Sequence, residues 1–354
     1  MTTGASAAGP GLDWAALLAA LLRGDDLDDA TARAAMDEIM RGDVAPVRVA
    51  GLLVALRAKG EHAAEIAGLV EAMRAHALPL AAGPGAVDTA GTGGDRSGTF
   101  NISTVAAIVA AGAGATVAKH GNRAASGRCG SADLLENWGV VIDLPPTGVE
   151  RCIARTGIGF CFAPVFHPAM RHVMPARREL GVPTVFNFLG PLLNPARVRH
   201  QTVGVSDASM APRIAEVLAR LGAAHALVFT GAGGLDELTT TGPSAIWEVR
   251  SGEVSAWELD PASLGLPAAT LDELQGGGVD DNRRIADDVL GGGRGAPRDI
   301  VALGAAAALY AADRVAGLAE GLDAAYAAID DGAAGRTLEA LVAESRAAAR
   351  ATSS

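Results

Sequence analysis

Apolar residues recur at steps of three and four from Asp13 to about Ala77, the spacing of amphipathic helices. "WAALLAALLRG" closes on Gly24. "DDATARAAMDEIMRG" opens with acids and closes on Gly42, and "APVRVAGLLVALRAKG" and "EHAAEIAGLVEAMRAHA" follow. Acids at the start and glycine past the end are helix boundary signals. The pattern predicts a small all-helical unit over 12–80, with a disordered tail at 1–11 and a Pro/Gly linker, "LPLAAGPGA", after it. Beyond the linker, short β-branched runs alternate with helical runs. Strands are predicted at "AVDT" (86–89), "ATVAK" (115–119), "GFCFA" (159–163), "QTVGVS" (201–206) and "HALVFTG" (225–231), and "SAIWEVRSGEVSAWEL" reads as a hairpin about Ser251-Gly252. The chain from Pro297 is alanine-rich helix. Strands alternating with helices imply a mostly parallel central sheet with helices on both faces.

Length adds a second domain to this picture, because 354 residues exceed one small core. A net charge of −11 argues against nucleic acid as a main partner. An acidic chain that binds a small anion must gather its positive charge locally. Three cysteines without C-x-x-C spacing point to a reducing compartment. The N-terminus lacks a signal peptide's basic region, and "WAALLAALL" is too short to span a bilayer. A cytoplasmic protein without membrane contact is expected.

Candidate chemistry starts at "DTAGTGGDRSGTFNIST" (88–104), where a predicted strand meets a helix. Open parallel sheets bind ligands beyond the carboxyl ends of their strands. Glycines let backbone N–H groups approach a ligand, and the helix adds unpaired N–H groups and its positive end. Ser103 or Thr104 is the expected helix cap. The shape suits a phosphate or diphosphate. Two familiar cradles fail: G-x-G-x-x-G needs glycine at 96, where Arg96 stands, and no G-K-[ST] triplet follows. A second loop, "AKHGNRAASGRCGS" (118–131), carries Lys119, His120, Asn122, Arg123, Ser126, Arg128 and Ser131. Lys119 is one of only two lysines, which suggests a point charge is wanted there. A third loop, "GAGGLDELTTTGPS" (231–244), holds Asp236 and Glu237. Paired carboxylates opposite a phosphate cradle suit Mg2+. Taken singly, each loop also reads as a plain turn or a solvated surface segment.

Together the motifs resemble anthranilate phosphoribosyltransferase, a tryptophan-pathway enzyme family. They run in order as "GTGGD" (91–95), "NIST" (101–104), "KHGNRA" (119–124), "HPAMR" (167–171), "RREL" (177–180), "FNFLGPLLNP" (186–195) and "LDE" (235–237). The resemblance implies an α/β fold in which a small all-helical domain is hinged to a large α/β domain with a central, mostly parallel sheet, the nucleoside phosphorylase type. It implies that a segment of about 166–195 returns to the helical domain, leaving 84–165 and 196–350 for the large one. Pairing as a homodimer through the helical domain is also implied. So is the reaction: anthranilate displaces diphosphate from phosphoribosyl diphosphate.

By the same resemblance, Gly91, Gly94 and Asp95 wrap the diphosphate. Thr99, Asn101, Ile102, Ser103 and Thr104 contact phosphoribosyl diphosphate. Lys119, His120, Gly121, Asn122, Arg123, Ala124, Ala125, Ser126, Gly127 and Ser131 complete that envelope. Ser103, Asp236 and Glu237 attend two Mg2+ ions. Gly91, Asn122, His167 and Arg177 bind anthranilate. Lys119 and His120 are the catalytic candidates, the first stabilising the leaving group and the second accepting a proton, although a structural histidine fits equally. Three departures stand out: Gly127 and Arg128 replace expected serines, Gly304 stands where asparagine is common, and Trp138 where a smaller residue is usual. A pyrimidine nucleoside phosphorylase and a non-catalytic, nucleic-acid-binding relative are the alternatives.

Overall fold

The computed structural model describes residues 11–124 and 128–352. Residues 1–10 of the expected tail, and the predicted site positions Ala125, Ser126 and Gly127, lie outside the described residues. Four helices open the chain: α1 (Trp14–Leu22), α2 (Asp29–Arg41), α3 (Pro46–Lys59) and α4 (Ala63–Ala75). Local chemistry sets their ends. Asp13 accepts from the N–H groups of Ala15 and Ala16, Asp28 accepts from Thr31, and Gly42 closes α2 in the left-handed region. Pro46 opens α3, where its missing N–H costs nothing. α2 packs closely on α4. A Cβ on Gly68 would run into the Asp29 carbonyl and stand 3.0 Å from both Ala32 Cβ and Arg33 N.

A seven-stranded sheet follows, in the order β3-β2-β1-β4-β5-β6-β7. Its strands are β1 (Val87–Gly91), β2 (Val117–Gly121), β3 (Ile158–Phe162), β4 (His200–Gly204), β5 (His225–Thr230), β6 (Ser244–Arg250) and β7 (Glu253–Leu259). β1 to β5 run parallel, and the hairpin β6–β7 adds antiparallel to β5. The α/β class and every predicted strand are present. The remaining helices are α5 (Ile102–Gly112), α6 (Ser131–Trp138), α7 (Pro146–Thr156), α8 (Ala163–Phe166), α9 (Met174–Leu180), α10 (Phe186–Leu189), α11 (Ala211–Arg220), α12 (Val279–Leu290), α13 (Ala296–Ala311), α14 (Leu318–Asp330) and α15 (Ala333–Thr352). None of the described helices is long and apolar enough to cross a membrane.

Two apolar cores share the sheet. Leu227 and Phe229 of β5 face the core of α5, α13, α14 and α15, while Ala226 and Val228 face the other. That second core joins α1–α4 and α11 to Val173, Ala176, Val185, Phe188, Leu189 and Leu192. The 166–195 segment therefore leaves the sheet at β3, packs among the first four helices, and returns at β4. Alternation with both faces buried is what a covered parallel sheet requires.

Two of the departures have physical roles. Gly304 on α13 lets that helix press on α5, where a Cβ would lie 3.1 Å from Ala106 Cβ. Trp138 is buried, and its indole N–H donates to Asp287 at 2.7 Å, joining α6 to α12. Overpacking a tight helix contact costs about 1–3 kcal/mol. Gly68→Val should therefore lower stability by that much, read as a lower denaturant midpoint at unchanged slope.

Candidate active site

Chain order reverses between β1 and β4, so a crevice opens at their carboxyl ends. Gly91 and Gly204 face each other there in register. The 231–244 loop lies across both. A Cβ on Gly204 would collide with the Asp236 carbonyl, and one on Gly91 with the Asp236 carboxylate. Two bare positions thus let one loop rest on two strand ends. Gly93 N–H donates to Asp236 Oδ2 at 2.6 Å, and Thr92 N–H to the Gly204 carbonyl at 2.9 Å. Ser206 Oγ donates to the Gly93 carbonyl at 2.9 Å. The loop continues through Gly93, Gly94, Arg96 and Gly98, all with positive φ.

α5 begins two residues earlier than a Ser103 cap requires and three earlier than a Thr104 cap does. Asn101 is its boundary residue and makes no side-chain cap. Its amide donates instead to the Cys129 carbonyl at 3.0 Å, tying the first loop to the second. The cap comes from a distant loop: Ser103 N–H donates to Glu237 Oε1 at 3.1 Å. Ile102 and Thr104 are buried, and their N–H groups donate to the Phe100 and Asn101 carbonyls. Thr99 bridges to Gln275, and Gln275 Nε2 donates to the Ser97 carbonyl at 2.7 Å. Asn282 Oδ1 accepts from Asn101 N–H at 2.9 Å. Sequence reasoning missed Gln275 and Asn282 as supports of the glycine loop; the run "LQGGGVDDN" around them was the available signal.

Asp95, Asp236 and Glu237 form one electrostatic cluster. Burial, then the neighbouring Asp95, pushes Asp236 up to about 7. Burial, then Asp236, pushes Glu237 up to about 8. Asp95 Oδ1 accepts from Ser97 N–H, but its buried Oδ2 has no partner among the described residues. Crowded, under-satisfied carboxylate oxygens fit a hard divalent cation, which would pair the charges that now repel. The described residues form no cage of three or more converging ligand side chains, so water and substrate oxygens would complete the coordination.

Lys119 departs from expectation. It is buried, and its ammonium donates to the Thr89 carbonyl at 2.5 Å and to Thr89 Oγ1 at 3.2 Å. Its pKa is pulled down by burial, with Asp88 and Glu237 opposing. The side chain follows β2 under β1 instead of reaching over the glycine loop. It therefore acts as a cation beneath the carboxylates.

His120 also departs from its expected role. Its Nδ1 lies 3.3 Å from the Gly190 carbonyl and its Nε2 3.2 Å from His167 Nε2. Burial, then His167, pushes it down to about 3, and burial pushes His167 down to about 4. A neutral, doubly engaged imidazole is a poor proton acceptor at neutral pH. Behind it, buried Asp88 accepts from His120 N–H at 3.0 Å and from Asn194 at 2.8 Å.

The remaining positions lie at the rim. Gly121 closes β2 under Ser131, whose hydroxyl donates to the Asn122 carbonyl at 3.2 Å. Asn122 is exposed, and Ala124 N–H donates to Asp133 at 3.1 Å. Arg123 is held by Asp133 and Glu136 of α6 at 2.9 and 2.8 Å. Arg128 is exposed. Arg177 is half-buried on α9, its guanidinium 5.1 Å from the Phe186 ring, with no ion-pair partner among the described residues. Arg178 beside it is exposed. No hydrogen bond or ion pair joins Arg177 to Asn122 or Gly91 among the described residues.

The Glycosyl transferase family a/b domain matches residues 83–335, and that family's helical bundle domain matches residues 15–77. The anthranilate phosphoribosyltransferase of Arthrobacter sp. (strain FB24) is 53% identical over 352 residues, covering 98% of this chain and all of that protein. The chain belongs to the anthranilate phosphoribosyltransferase family. The crystal structure of the family member from Thermus thermophilus superposes with a TM-score of 0.88 at 46% identity, covering 93% of this chain and 99% of the other. That from Saccharomyces cerevisiae, in complex with PRPP and Mg, gives 0.86 at 29% identity, covering 94% and 98%.

Two outcomes test this geometry. Asp236 and Glu237 keep their protons to higher pH in the folded chain than in the unfolded one. The folded state then binds more protons, so stability is greatest below about pH 4 for these groups and falls as pH rises through about 7 and 8. Thermal unfolding in EDTA should fall in midpoint from about pH 5 to about pH 9, and Asp236→Asn with Glu237→Gln should flatten that slope. Lys119→Met should cost about 1–3 kcal/mol, because the Thr89 carbonyl loses its buried donor. Chemical denaturation measures this loss.

Proposed function

We propose that this chain transfers the phosphoribosyl group of 5-phosphoribosyl 1-diphosphate to the amine of anthranilate, giving N-(5-phosphoribosyl)anthranilate and diphosphate, a step of tryptophan biosynthesis. One observation carries the reading: the Asp236 carboxylate is bonded to an N–H of the glycine loop, so an acidic pair and an anion cradle share one crevice. That is the arrangement a metal-bound diphosphate needs. The net charge speaks against the nucleic-acid alternative, and full-length similarity to the transferases against the phosphorylase one.

Departure of diphosphate leaves positive charge on the ribose carbon and negative charge on the leaving oxygen. The N–H groups of Gly94 and Asp95, which no group among the described residues takes up, are preorganised donors for that negative charge. Bound Mg2+, two ions in this reading, neutralises the diphosphate, held by Asp236 and Glu237 with Asp95 and Ser103 beside them. Lys119 offsets the carboxylates from below. Gly121, Asn122, Arg123, Ala124 and Ser131 contact the phosphoribosyl diphosphate in this reading, with Arg123 tied to α6. Asn122, His167 and Arg177 receive anthranilate, and the half-buried, unpaired Arg177 suits its carboxylate. The aromatic amine is neutral at physiological pH, so attack needs no general base. His120 holds the Gly190 turn in place. The helical unit, 12–80 with about 166–195, closes on the 84–165 and 196–350 unit and keeps water from the reacting carbon. A cytoplasmic homodimer paired through the helical unit completes the proposal.

Formation of fluorescent phosphoribosylanthranilate from the two substrates tests the reaction. It should require Mg2+ and stop in EDTA. Asp236→Asn with Glu237→Gln should nearly abolish turnover in a folded protein. Arg177→Ala should raise the KM for anthranilate about ten- to a hundredfold, the worth of a charge-assisted bond, and leave the KM for phosphoribosyl diphosphate unchanged. Arg178→Ala should move neither.

A further inference from the structure

The opposite edge of the sheet carries a second feature. Where β4 and β5 begin, a cleft of about 440 Å³ opens between the helical unit and the lead into β4. Arg33, Arg74, Arg197 and Arg199 line it, with Glu71 as its only acidic side chain among the described residues. Arg33 takes up Glu71 at 3.3 Å. Three guanidinium groups remain, in a chain of net charge −11. We propose that this cleft is a binding site for a small phosphate-class anion, separate from the crevice at the carboxyl ends of the strands.

Arg74 is the centre of the argument. Its Nε donates to the Leu192 carbonyl at 2.8 Å, and its other nitrogens have no partner among the described residues. Burial, then the charge of Arg197, pulls its pKa down to about 10. A half-buried cation that faces a like charge, and whose one nearby carboxylate, Glu71, is shared with Arg33, is costly. The neighbours are fixed so as to keep that arrangement. Arg197 sits in the left-handed region, φ +48, and donates through Nη2 to the Arg74 carbonyl at 3.0 Å. A non-glycine residue held there carries backbone strain. Arg199 directs its Nε to the Gly222 carbonyl at 2.9 Å, which leaves its terminal nitrogens without partners among the described residues. Planar forks with unused N–H groups match phosphate oxygens. An anion held here spans α4 on one side and the lead into β4 on the other. Occupancy would fasten the helical unit to the sheet at the end remote from the glycine loop.

The test uses the full chain with inorganic phosphate, without Mg2+, at ionic strength matched with chloride. Calorimetric titration should show a phosphate site that is weakened about tenfold or more in Arg197→Gln/Arg199→Gln and in Arg74→Gln. Turnover at saturating substrates should survive in the double variant. Crystals soaked in selenate should show anomalous density between Arg74 and Arg199. If Arg74→Gln does not fold, the double variant decides, because both its side chains are exposed. Indistinguishable titrations of wild type and double variant, or selenate confined to the glycine loop, would overturn the proposal.

Discussion

The site depends on one close approach. The 231–244 loop can lie across β1 and β4 only because Gly91 and Gly204, paired in register, leave no side chain beneath Asp236. From that contact follow the bond to Gly93 N–H, the reach of Glu237 to the start of α5, and the crowding of three carboxylates. The electrostatic tension is local and purposeful. Isolated, the cluster repels itself; with a divalent cation and a diphosphate it becomes a charge-balanced whole.

Much of this was legible in the chain. Short β-branched runs marked each strand, because both faces of the sheet are buried, and steps of three and four marked the four opening helices, because one stripe of each is buried. The glycine turn and the Asp236-Glu237 pair stood out as candidates because bare residues and adjacent acids fall at predicted strand ends. Side-chain direction was not legible. Lys119 and His120 follow a glycine-rich loop's logic in sequence, yet they lie on β2, where alternation sends one under β1 and the other against His167. The cap of α5 was equally hidden, since its acceptor is Glu237, far along the chain. Gln275 and Asn282 support the loop from a segment whose sequence shows only glycines and acids.

The carboxylates and the buried cation also divide labour differently from a simple inventory of charges. Asp88 joins Asn194 of the return segment to the backbone of His120, so the first strand, the second strand and the helical unit meet at one buried oxygen pair.

The path of the 166–195 segment has a consequence for how the molecule is made. Val173, Val185, Leu189 and Leu192 complete an apolar core that Trp14, Met36, Leu53 and Ile66 begin. On the ribosome the first four helices emerge long before those partners. They must wait, partly uncovered, while three strands of the sheet are synthesised. Contacts this distant in sequence make folding slow and leave apolar surface exposed in the interval. The topology that returns this segment to the first helices therefore also leaves apolar surface of the nascent chain uncovered until the segment is made.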